Sequence, residues 1–123
     1  MANYWDSYYK NTKGNLKPTP FAKKCFKFLK NYKGILYDIG CGNGRDTIFF
    51  NRLNFNCYGL DQSSKAIRIN KKKFKKYKKK FVKSDFVKYP YQKIKKNFTI
   101  YSRFTIHSIN KKQEEIFFKK IHK

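Results

Sequence analysis

The chain has 123 residues, enough for one domain with a real core and too few for two. Its 31 Lys and Arg stand against 7 Asp and Glu, a net charge of +24, yet a 40% hydrophobic and 20% aromatic content excludes a disordered polyelectrolyte. No apolar run approaches the roughly 20 residues of a membrane helix, and the opening MANYWDSYYKN lacks the charged lead and apolar stretch of a signal peptide.

Residues 1–18 are polar and aromatic with turn formers at Gly14 and Pro18, and read as an N-terminal arm or short helix; the domain proper is expected over 19–123. Thr19-Pro20 is a helix start, with Thr as N-cap and Pro at the first helical position. Phe21, Cys25, Phe28, Leu29 and Tyr32 then share one helical face, and Gly34 ends the run. A short buried strand follows over 35–39, then Gly40-Cys41-Gly42-Asn43-Gly44, which only a tight loop accommodates. Helical spacing of Ile48, Phe49, Arg52 and Leu53 predicts a helix over 45–53. A second strand is expected over 57–60, closing at Asp61. Ser63 or Ser64 caps a third helix carrying Ala66, Ile67, Phe74 and Tyr77, which dissolves into the lysine run 71–80, read as a solvated face. A third strand is expected over 81–84, closing at Asp85, and a fourth over 98–102. Asn110 with Gln113 forms a capping box for a last helix through Ile116, Phe117, Lys120 and Ile121. Strands alternating with helices imply right-handed βαβ units: an α/β fold on a parallel sheet, whose ligands sit beyond the carboxyl ends of the strands.

The lysine surplus has two readings. Lysines displace counterions from phosphates, which suits a polyanion partner. Against this, the enriched residues (Lys, Asn, Ile, Phe and Tyr) share A/T-rich codons, and the arginine fork that nucleic-acid binders favour occurs only at Arg45, Arg52, Arg68 and Arg103. Compositional drift is thus the better supported reading, with weak non-specific attraction to polyanions as its consequence. Cys25, Cys41 and Cys57 are odd in number, with no CxxC and no paired histidine. Neither a disulfide nor a metal site is expected, and a reducing cytoplasm is the simplest compartment.

The positions of the seven acids carry the most information. Asp46, Glu114 and Glu115 lie in first turns of helices, where the helix dipole explains them, and Asp6 lies in the arm. Asp38, Asp61 and Asp85 instead fall at the ends of three successive strands, along one edge of one sheet, beside a glycine loop. Asp is a common strand-to-helix linker, which explains any one of the three better than all of them. Gly40, Gly42 and Gly44 let the backbone approach an anion and aim amides of the next helix at it. Asp61 lies about 20 residues past the first glycine, where an acid accepts both hydroxyls of a ribose. Asp85 is placed for an exocyclic amine of adenine, with Phe86 able to cover the base. A nicotinamide dinucleotide would want G-x-G-x-x-G, yet Arg45 occupies the third glycine's place, and Asp38 would sit badly near a pyrophosphate. S-adenosylmethionine fits better: its ammonium suits Asp38 and its carboxylate the loop amides.

YDIGCGNGRDTIFF (37–50) resembles motif I of class I S-adenosylmethionine-dependent methyltransferases. NFNCYGLDQSSKAI (54–67) is similar to their second motif, FVKSDF (81–86) to the third, and FTIYSRFTIHSI (98–109) to the strand-four motif. The resemblance covers roughly residues 20–122. It implies a Rossmann-like parallel sheet with flanking helices and S-adenosylmethionine as cofactor. Asp38 and the loop of Gly40, Cys41, Gly42 and Gly44 would hold the methionine end, Asp61 the ribose, and Asp85 with Phe86 the adenine. Tyr8 and Tyr9 would either fold over the cofactor or pack as a surface arm. The family's sheet has seven strands in the order 3-2-1-4-5-7-6. This chain supplies about four, so the fold is expected to be incomplete, lacking strands five to seven. A fragment, a truncated product, or half of a split or dimeric enzyme would each account for that.

Methyl transfer needs alignment more than acid–base chemistry. Arg103 and His107, just past strand four, are the candidates near an acceptor: Arg103 to grip an anion, His107 to take a proton. For His107, packing at a helix entry is the competing role. The expected function is transfer of a methyl group to a small-molecule acceptor; the alternative is a truncated, non-catalytic domain that binds the cofactor or, through its lysines, nucleic acid.

Overall fold

The computed structural model describes residues 17–94 and 97–102. The elements in order are α1 (Pro20–Leu29), β1 (Ile35–Ile39), α2 (Arg45–Arg52), β2 (Asn56–Asp61) and α3 (Ser64–Lys73). A 3-10 segment (Lys75–Lys80), β3 (Phe81–Lys83), a second 3-10 turn (Tyr91–Lys93) and β4 (Phe98–Tyr101) follow. All pairings are parallel, and the strand order is β3-β2-β1-β4. This is the α/β sheet with flanking helices that the alternation of elements predicts. The expected arm, apart from residues 17–18, and the expected last helix lie outside the described residues, as do Tyr8, Tyr9, Arg103 and His107.

Local chemistry sets the helix boundaries. Thr19 caps α1, its hydroxyl accepting from the Ala22 amide at 3.1 Å with Pro20 at the first position. Ser63, the first of the two proposed caps, does the same for α3 through the Ala66 amide at 3.1 Å. The α3 helix stops at Lys73, short of Phe74 and Tyr77, and the chain continues as tighter 3-10 turns. Lysines four apart on one helix face repel, and an uninterrupted α-helix through 71–80 would stack several such pairs. Behind α2, Asn54 adopts φ 69°, the left-handed turn that asparagine tolerates after a helix.

The two faces of the sheet are filled differently. On one, Leu36, Cys57 and Tyr101 pack against Ala22 of α1 and Phe50 of α2, with Phe55 at the turn. Beside them Phe81 meets Ile48 of α2 and Ile67 of α3. On the other, Tyr37, Ile39 and Leu60 pack against Phe86, Val87 and Tyr91 from the segment joining β3 to β4. From the sequence that segment is expected only as the connecting loop between the third and fourth strands. Its order comes from aromatics: Tyr91 stacks on Phe98 at 5.6 Å between ring centroids, meets Tyr37 edge-on at 5.6 Å, and donates its hydroxyl to the Phe86 carbonyl at 2.8 Å. Much of the chain's aromatic richness is therefore spent on the core.

Candidate functional site

At the carboxyl end of β1 the chain turns through Gly40, Gly42 and Gly44, with φ of 67°, 57° and 79°. Side chains rarely adopt such values, so the glycine spacing is a backbone requirement. Close packing adds to it at Gly44, where a Cβ would lie 2.8 Å from the Phe81 ring. The loop is tied down on several sides. Gly40 and Cys41 both donate their amides to the Leu60 carbonyl, at 2.7 and 3.0 Å. The Gly42 amide donates to Asp61 Oδ2 at 2.9 Å, and its carbonyl accepts from Asn70 Nδ2 of α3 at 2.7 Å. Gly44 then stands as the N-cap of α2 with no side chain of its own, while Asn43 Oδ1 accepts from the Arg45 amide at 3.2 Å, and the positive end of that helix favours an anion beside the loop.

The three rim carboxylates differ in setting. Asp38 is 4% exposed, beneath the loop, where the Thr47 hydroxyl of α2 donates to its Oδ2 at 2.7 Å. Gly59, paired with Asp38 across the sheet, leaves the room for this: a Cβ there would come within 2.7 Å of the Thr47 hydroxyl and 2.9 Å of the Cys41 sulfur. Asp61 is half-buried and accepts from the Gly42 amide with one oxygen and from the Ser63 amide, at 2.8 Å, with the other. Asp85 closes the third strand: Ser84 before it donates to the Asp61 carbonyl at 2.9 Å, and its own Oδ1 accepts from the Val87 amide at 2.9 Å. The loop, Asp38 and Asp61 are thus brought together directly, and Asp85 joins the same edge through Ser84.

One sequence-derived expectation needs revision and another is extended. Phe86, expected to cover a base, is 4% exposed within the second-face core, because the turn held by Asp85 directs it inward beside Tyr91. Asp46, read as a helix-dipole partner, is 5% exposed and has a larger part. It accepts from the Thr19 amide and hydroxyl, both at 2.9 Å, and from the Tyr101 hydroxyl at 2.7 Å, joining α1, α2 and β4. Burial first, then this carboxylate, hold the Tyr101 phenol well above the usual tyrosine range. Sequence reading also missed Asn70, 2% exposed; the available signal was a polar residue in the apolar stripe of Ala66, Ile67 and Phe74.

Cys25, Cys41 and Cys57 are free thiols, and the latter two are buried. Burial, reinforced by Asp38, pushes both well above the normal thiol range, so the reactive thiolate is scarce there. Cys25 is half-buried and raised less, also chiefly by burial. Iodoacetamide near neutral pH is expected to modify Cys25 at least about 100-fold faster than Cys41 or Cys57 in the folded chain, as mapped by peptide mass spectrometry. Equal rates would mean that the loop and β2 are not packed as described.

A cavity of about 590 Å³ lies away from this rim, lined by Asn51, Arg52, Asn54, Lys73, Phe74, Lys75, Lys76 and Tyr77 where α2 and α3 end. Among the described residues no group of His, Cys, Asp and Glu could hold a metal ion, and no helix is long and apolar enough to cross a membrane.

A family model described as a methyltransferase domain matches residues 36–123. Similar solved structures include a glycopeptide N-methyltransferase complexed with sinefungin (TM-score 0.70, 16% identity, 90% of this chain and 47% of that one). Another is a proposed S-adenosyl-L-methionine-dependent methyltransferase from Methanococcus maripaludis (TM-score 0.70, 21% identity, 98% of this chain and 57% of that one). A third was determined for the conversion of a disulfide bond into a thioacetal group during echinomycin biosynthesis (TM-score 0.71, 18% identity, 99% of this chain and 55% of that one). No match emerged among curated proteins. At these identities the structures establish the fold, and the chain spans about half their length.

Proposed function

The chain belongs to the methyltransferase-domain family, whose methyl donor is S-adenosyl-L-methionine, and from that premise we propose that it binds this cofactor along the rim of Asp38, Asp61 and Asp85 and methylates a small-molecule acceptor. The observation that carries the reading is the double use of Asp61. Its carboxylate holds the glycine loop and the start of α3 through two amides. A carboxylate has about four acceptor positions, so two are left for the hydroxyl pair of a ribose.

The remaining assignments follow from charge. Asp38 beneath the loop attracts an ammonium, while the loop amides and the positive end of α2 attract a carboxylate; together these match the two ends of an amino acid. A pyrophosphate above the same buried Asp38 would be repelled. Asp85 is assigned the exocyclic amine of adenine, and Phe86 supports its turn from the core. When bound, the sulfonium supplies a methyl group already activated for displacement, so the protein's part is to align the acceptor and keep water out. Arg103 and His107, outside the described residues, remain the candidates for holding an anionic acceptor and taking its proton. A reducing cytoplasm suits the three free thiols. Among the described residues β4 pairs only with β1, and a further strand, from a longer chain, a second half-domain or a second copy, is proposed beside it.

Titration calorimetry of the full chain with S-adenosylmethionine tests the reading. Saturable binding that persists at high salt is expected; no heat and no thermal shift at saturating cofactor would end it.

The lysine-lined cavity favours a second activity, association with polyanions. Segment 62–84 contains no acidic residue, and Lys73, Lys75, Lys76 and Arg52 converge there. Such binding, probed with mixed-sequence RNA, should collapse as salt rises and be indifferent to Asp61→Ala. RNA binding that resists salt, or that Asp61→Ala removes, would contradict it.

A further inference from the structure

Asn70 occupies a place that an apolar residue would fill more cheaply. It lies one helical turn from Ala66, Ile67 and Phe74, on the side of α3 that packs into the core, and it is 2% exposed. Asparagine is a poor helix former, and burying its amide is unfavourable unless the amide is hydrogen-bonded. Here the amide has a specific partner: Nδ2 donates to the Gly42 carbonyl at 2.7 Å, across 28 residues of sequence. The same side chain borders Gly44, whose hypothetical Cβ would lie 3.3 Å from Asn70 Cγ. It therefore touches the glycine loop at two points.

Gly42 is held through both of its polar backbone groups. Asp61 takes its N–H and Asn70 binds its C=O. A glycine at φ 57° can change conformation at little steric cost, so the peptide after it could rotate and re-aim the loop amides. Asp61 restrains only the amide preceding that peptide. Asn70 holds the carbonyl that would have to swing.

We propose that Asn70 is a positioning residue for the cofactor loop, fixing the Gly42–Asn43 peptide so that the loop presents its amides to the carboxylate end of the amino-acid moiety. The inference rests on the proposed cofactor reading and adds to it a residue from outside the sheet rim. Asn70 touches no reacting atom in this role; it acts through Gly42.

Two substitutions separate positioning from mere packing. Asn70→Leu keeps the branched shape and suits the apolar stripe, but removes the donor. Cofactor affinity is expected to fall about tenfold, the effect of one buried hydrogen bond, and the buried Gly42 carbonyl left without its donor should lower thermal stability modestly. Amide exchange at Gly42 and Gly44 in the cofactor-free chain should quicken, with β1 and β2 unchanged. Asn70→Asp sets an anion against the Gly42 carbonyl when ionised and donates an O–H to it when protonated. Burial raises the pKa of such a carboxyl, so affinity should be poor at neutral pH and recover as the pH falls, relative to wild type at each pH. Wild-type affinity and unchanged loop exchange in Asn70→Leu would overturn the proposal. So would an Asn70→Asp profile parallel to wild type. If wild-type chain itself fails to bind S-adenosylmethionine, the cofactor reading is what fails, and exchange at Gly42 still decides whether Asn70 holds the loop.

Discussion

Asp61→Ala is expected to weaken S-adenosylmethionine binding about 100-fold or more while the sheet remains folded, since hydrogen bonds to a charged group contribute about 1.5–3 kcal/mol each. Two effects combine. The substitution removes the acceptor positions assigned to the ribose hydroxyls, and it frees the Gly42 and Ser63 amides, so the loop loses one of its ties. Asp61→Asn separates them. An amide oxygen still accepts one of the two N–H bonds, so the loop should be partly kept while the charge is lost, and an intermediate affinity is expected. Calorimetry on the two variants, with thermal midpoints recorded alongside, checks this order. Equal affinity for wild type and Asp61→Ala would remove Asp61 from the site.

Asp46→Ala carries the largest expected loss of stability. The carboxylate accepts three hydrogen bonds in a buried setting, and its removal strands the Thr19 amide and leaves the Tyr101 hydroxyl only a long 3.5 Å contact with the Thr19 hydroxyl. At about 1–3 kcal/mol for each buried group left without a partner, the cost is about 3 kcal/mol, and Tm should fall by about 10 °C. The loss should concentrate in α1 and β4, the elements that Asp46 joins to α2, and hydrogen exchange can locate it. Tyr101→Phe should cost less, because it removes the donor together with its need for a partner. Alkali should act on the same network. The folded pKa of Tyr101 lies above the unfolded value near 10, so its stabilisation is complete below about pH 10 and is lost as the pH rises beyond it. A Tm for Asp46→Ala within a degree or two of wild type would show that the buried network is not made.

What was legible in the sequence was what depends on short-range pattern. The strand at 35–39, the glycine loop and the caps at Thr19 and Ser63 each follow from a few adjacent residues, and parallel βαβ succession then places Asp38, Asp61 and Asp85 on one edge. The scarcity of acids made that edge conspicuous. What escaped depends on partners distant in the chain. Asp46 meets Thr19 and Tyr101 across 27 and 55 residues, and Asn70 meets Gly42 across 28, so neither role leaves a local trace. Phe86 follows a rim aspartate and so looks available to a ligand; only the packing of the β3–β4 connection onto the second sheet face shows that its ring is core. The dissolution of the third helix into the lysine run was legible from the charges, and α3 does end at Lys73, whereas the tighter 3-10 turns over 75–80 leave no sequence signal.

Amide chemical-shift mapping of the full chain titrated with S-adenosylhomocysteine tests the central claim most directly. Saturable changes should cluster at Gly40 to Thr47, Asp61 to Ser63 and Asp85 to Val87, leaving the lysine segment 71–80 unmoved. Changes confined to that lysine segment, with the glycine loop and the three aspartates silent, would contradict the assignment of this rim as the cofactor site.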